Sequence, residues 1–157
     1  MPISTITPAN RLHHIRDEKQ IISDGFSVLK YCPRGQFPSS TSEIKKSDLR
    51  LWTAHFQANP NVCRNAWNTM LLRDYLPNTA TPMYLFWALY CLKSYATEDR
   101  ASTAMSTTRK TLRKRVKEMV EALTKLSFDL VRETNRCIYS SFLVEKSHQI
   151  NHLDVSK

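Results

Sequence analysis

A chain of 157 residues with 41% hydrophobic content is long enough to bury one core and too apolar for wholesale disorder. Its 23 Lys and Arg against 14 Asp and Glu leave a formal charge of +9, which favours a polyanionic partner, nucleic acid before an anionic membrane surface. Two glycines, Gly25 and Gly35, are too few for a glycine-rich phosphate loop or a turn-rich strand fold, and four cysteines without a CxxC pair carry no zinc signature.

Met1 to Asn10 lacks the basic and apolar segments of a secretory signal. The whole stretch from residue 1 to about 46 is punctuated by Pro2, Pro8, Pro33 and Pro38 and by a Ser/Thr cluster. It reads as a weakly structured tail, with a short helix possible around Ile15 to Ile22. From Ser47 the texture becomes helical. Ser47 is expected to cap a first helix, with Asp48 in its first turn and Leu49, Trp52 and Phe56 at helical spacing. Asn59-Pro60 starts a second, with Val62, Ala66, Met70, Trp67 and Leu71 as its apolar face. Thr81-Pro82 starts a third through Met83–Leu92, apolar nearly all round and therefore central. That run has half the length needed to cross a bilayer, so no membrane is expected as partner.

Thr97 caps a short fourth helix, Glu98 to about Met105, and Ser106 to Thr108 break it. The fifth helix is expected from about Thr108 to Leu126. Leu112, Val116, Met119, Val120, Leu123 and Leu126 make one apolar stripe along it. A sixth restarts at Ser127 and Asp129, and past Tyr139 the signals weaken. Cys63 and Cys91 read as small core residues, and the protein as intracellular with reduced thiols. His148 and His152 stand four apart and could share a helix face, which by itself is too little for a metal site.

Six Lys and Arg fall between Arg109 and Lys117, mostly off the apolar stripe. They sit in the first half of the helix, where the macrodipole disfavours positive charge. A short helix, a break and a longer basic helix make a helix-turn-helix arrangement, whose second helix enters the major groove by its N-terminal residues. Those residues would be Ser106, Thr107, Thr108, Arg109, Lys110 and Arg113, with Lys114 and Lys117 reaching flanking phosphates. Arg115 borders the stripe and can snorkel to the surface. The plainer reading is a solvated basic face, or one that docks on an acidic partner.

The run from Leu85 to Leu123, "LFWALYCLKSYATEDRASTAMSTTRKTLRKRVKEMVEAL", resembles the region before the catalytic core of Harbinger-type DDE transposases, especially algal and diatom-like members. "HFQANPNVCRNAWNTML", His55 to Leu71, and "DLVRETNR", Asp129 to Arg136, are similar to flanking segments of the same family. Leu112 and Arg115 stand where the family usually has aromatic residues, and Met105 and Ser106 replace small turn residues. The resemblance implies a helical DNA-binding part, with the metal-dependent nuclease carried by a domain further along. Asp154 lacks the glycine-threonine-aspartate context of a first catalytic acid.

The expectation is therefore an all-α bundle of about five to six helices including a helix-turn-helix-like unit. A tail over 1–46, a DNA-binding domain over 47–140 and a C-terminal tail over 141–157 divide it. The expected function is binding of double-stranded DNA in the nucleus by a truncated transposase-like protein, without catalytic residues, metal or cofactor. The alternative is a protein-interaction module that pairs with itself or with a full-length transposase, anchored on Trp87 and Tyr90. Core packing is the plainer role for those two side chains.

Overall fold

The computed structural model describes residues 6–7, 9–29 and 45–153, with side chains to residue 134. Among the described residues the fold is all-α. A 3-10 turn, Arg11–His14, precedes six helices: α1 Glu18–Leu29, α2 Lys46–Phe56, α3 Pro60–Leu72, α4 Pro82–Ser94, α5 Glu98–Ala104 and α6 Arg109–Leu153. The chain divides into two compact units, Met1–Leu123 and Thr124–Lys157.

Residues 18–29 leave the tail to which the sequence reading assigned them. Asp17 and Gln20 cap α1 reciprocally: the Gln20 N–H donates to Asp17 Oδ1 at 2.8 Å and the Asp17 N–H to Gln20 Oε1 at 2.9 Å. The helix then buries Ile21, Ile22, Phe26, Val28 and Leu29 against α3 and α4. Its approach is held by α3. The Trp67 indole donates to the His14 carbonyl at 3.0 Å, and the Asn68 side chain exchanges two 2.9 Å bonds with the backbone of Arg16. The expected linker over 30–44 lies outside the described residues.

The cap of α2 is Lys45, two residues before the expected Ser47. Asp48 Oδ2 accepts from the Lys45 N–H at 2.8 Å, which draws the preceding residues into the first turn. Asn59 caps α3 as expected, its Oδ1 accepting from the Val62 N–H at 2.9 Å with Pro60 in the first turn. The buried face of α3 is Cys63, Trp67, Met70 and Leu71, while Val62 is exposed. The expected single apolar face included Val62; the packing instead buries the face centred on Trp67, which lies about 100° round the helix from a stripe through Val62 and Ala66.

Helix α4 is central to the first unit. Six of its residues are buried, from Pro82 to Ala88, and both α1 and α2 pack on it. The aromatic core gathers on Trp52 of α2, which meets Phe26, Phe56 and Phe86 edge-on at centroid distances of 5.6, 5.0 and 5.1 Å. Its indole N–H donates to the Ala58 carbonyl at 3.0 Å, so no polar atom is stranded by its burial. Gly25 faces the same ring. A Cβ there would lie well inside van der Waals contact with the Trp52 six-membered ring.

No break at Ser127 separates the helix expected over 108–126 from the one expected after it. The backbone runs helically through 45 residues, and the Ser127 hydroxyl donates back to the Thr124 carbonyl instead of capping a new start. In the second unit Phe128, Leu130 and Val131 are exposed. The expected C-terminal tail is helical in its backbone as far as Leu153.

Candidate nucleic-acid interface

The region singled out by its charge is built from α5, a four-residue connection and the start of α6. Thr97 caps α5, its hydroxyl accepting from the Arg100 N–H at 3.4 Å, and Glu98 and Asp99 fill the first turn. At the other end Met105 is buried and Ser106 turns left-handed at φ 47°. The Ser106 N–H donates to the Thr103 carbonyl at 3.1 Å and the Thr107 N–H to the Ser102 carbonyl at 3.0 Å. This is a complete Schellman closure, made with serine where glycine is usual. Thr108 then caps α6, its hydroxyl oxygen accepting from the Thr111 N–H at 3.2 Å.

Helix α6 keeps its first turns on the first unit by burying Leu112, Met119 and Ala122. Val116, Val120 and Leu123 are half-buried, so the expected stripe is right in phase but narrower, and Ala122 joins it. Opposite that stripe, Arg109, Lys110, Arg113, Lys114 and Lys117 line one open depression on the helix surface. The side chains of Arg109, Arg113, Lys114 and Lys117 are each about two-thirds exposed or more.

The eight expected contact residues therefore separate into two groups. Five share this face. Ser106, Thr107 and Thr108 instead form the turn, where Ser106 supplies the left-handed residue, Thr107 a backbone donor and Thr108 the cap. Arg115 belongs to neither group. Its guanidinium lies 5.0 Å from the centre of the Tyr84 ring, donates to Thr79 Oγ1 at 2.7 Å and pairs with Glu118 at 3.0 Å. It ties α6 to α4 and to the segment before it, a structural task served by a cation on an aromatic face.

Two acids of α5, Glu98 and Asp99, complete the site. Glu98 accepts a two-pronged pair from Arg113, from Nε at 2.8 Å and from Nη2 at 2.5 Å. Asp99 pairs with Arg109. The bonds from Arg113 hold the Glu98 carboxyl below the ordinary glutamate range, and the same bonds push the Arg113 guanidinium up. Sequence separations of 15 and 10 residues across a turn give no periodic signal, which is why these pairs emerge only in three dimensions. Lys114 and Lys117 are 3.9 Å from Glu118 and Glu121 one turn along, beyond hydrogen-bond reach, and Lys110 has no acidic partner among the described residues.

Among the described residues no cluster of three or more His, Cys, Asp or Glu is placed to hold a metal. The side chains of His148 and His152 lie outside the described residues. Among the described residues no helix is long and apolar enough to cross a membrane. Trp87 is buried in the core beside Tyr84, at a centroid distance of 5.1 Å, and Tyr90 is half-buried. No protein family, characterised protein or solved structure matches the chain.

Proposed function

We propose that the protein binds double-stranded DNA through the first half of α6, as the non-catalytic part of a Harbinger-type transposase-like protein. The observation that carries this reading is the five-residue basic face of α6 beside a capped four-residue turn. Cations at the first turns of a helix oppose its dipole, so they weaken the helix they stand on and are better accounted for by a phosphate backbone outside it. In this reading α5, the turn and α6 act as a helix-turn-helix pair. Helix α6 lies along the major groove and its lysines meet phosphates.

Phosphate contacts dominate such binding and make it steeply salt-dependent. Fluorescence anisotropy with a random-sequence duplex tests the proposal. The whole protein should bind at low salt and release as salt rises. Replacing Lys110, Lys114 and Lys117 together by alanine should weaken binding by about tenfold or more. Equal affinity for the triple variant would remove the site.

A further inference from the structure

We infer that Glu98 and Asp99 of α5 act as built-in phosphate mimics, masking Arg113 and Arg109, so that DNA meets three lysines of the basic face rather than all five cations. This inference rests on the DNA-binding reading of α6. Glu98 presents two oxygens to the Nε and Nη2 edge of Arg113 at 2.8 and 2.5 Å, the fork that a phosphate would otherwise fill. Arg109 is paired through its Nε with Asp99, the next residue of α5. Both acids lie in the first turn of a helix whose cap and closing turn are fully bonded, so they are held beside α6 rather than on a loose loop. Lys110, Lys114 and Lys117 make no bond of that quality with an acid: one has no acidic partner among the described residues and two have carboxylates only at 3.9 Å.

An arginine in such a pair must give up its carboxylate to take a phosphate. The acid it leaves behind then stands next to the DNA backbone, where like charges repel. The two acids thus lower affinity twice over, and release of the pair is a way to raise it. The consequence is a binding surface set below its full strength by its own neighbouring helix.

The salt dependence of binding counts phosphates neutralised, at about −0.9 in log affinity against log salt for each. Three lysines give a slope of about −2.7 for the unmodified protein, and all five cations give about −4.5. The Glu98→Gln/Asp99→Asn variant should bind roughly three- to tenfold tighter at moderate salt, with a slope steepened toward the larger figure. A charge-matched control, Glu18→Gln/Asp74→Asn, removes two acids elsewhere in the first unit and should leave the slope unchanged. Adding Arg109→Ala and Arg113→Ala to the first variant should return the slope to that of the unmodified protein. Circular dichroism of each variant verifies the helical fold.

A slope already near −4.5 in the unmodified protein, about that predicted for five cations, overturns the masking, as does an acid-free variant no steeper than the control. Both leave DNA binding intact. No salt-dependent binding by the unmodified protein or by the acid-free variant overturns the DNA reading itself.

Discussion

Ser106 holds a left-handed backbone conformation, φ 47°, at the point where α5 closes. With only two glycines in the chain, other residues take up such positions: Gln57, Asp74 and Tyr95 are left-handed as well. A side chain there carries strain that glycine avoids, so Ser106→Gly should stabilise the protein by about 1 kcal/mol and Ser106→Val should destabilise it. Urea unfolding followed by circular dichroism measures both, and a loss of stability in the glycine variant would contradict the strain. The sequence had marked Met105 and Ser106 as a turn made without glycine. It could not say which of the two would turn left-handed, because that depends on burial of Met105, which only packing decides.

Helix starts were the most legible elements. Asn59-Pro60, Thr81-Pro82 and Thr97 each stand at the N-terminus of a helix, because these residue types satisfy or dispense with free N–H groups using neighbours only. Helix α1 carried the same kind of signal in Asp17 and Gln20, a reciprocal cap three residues apart, and its composition hid it among prolines on either side. What holds α1 in place is less local. Gly25 permits the Trp52 ring to approach the helix backbone, and a mid-helix glycine would otherwise be a cost. Gly25→Ala should therefore destabilise by about 2 kcal/mol despite its better helix propensity, measured by chemical denaturation. A neutral or stabilising result would mean that the indole can move aside.

At the scale of the whole molecule, Cys63 offers a probe of how cooperatively the first unit opens. It is buried on α3, and burial pushes its thiol up to about 12. The neutral thiol is favoured in the fold. Its contribution is present below the ordinary thiol range and is lost as pH rises through that range toward 12. With Cys32, Cys91 and Cys137 replaced by serine, alkylation of Cys63 at pH 8 should be slow and should track global unfolding across a urea series. Rapid labelling of the native protein would place that side chain at the surface.

By itself the sequence determined the helical class, several helix starts and the basic run of α6, because caps, apolar period and charge are properties of residues a few positions apart. The tertiary structure decided which stripe of α3 is buried, that α1 belongs to the core and that α6 does not break at Ser127. It also decided the chemistry of the candidate site. Arg115 turns inward to Tyr84, while Arg109 and Arg113 meet the acids of α5. Each of these outcomes depends on side chains far apart in sequence meeting across helices, where shape and charge together select among faces that look equivalent in one dimension.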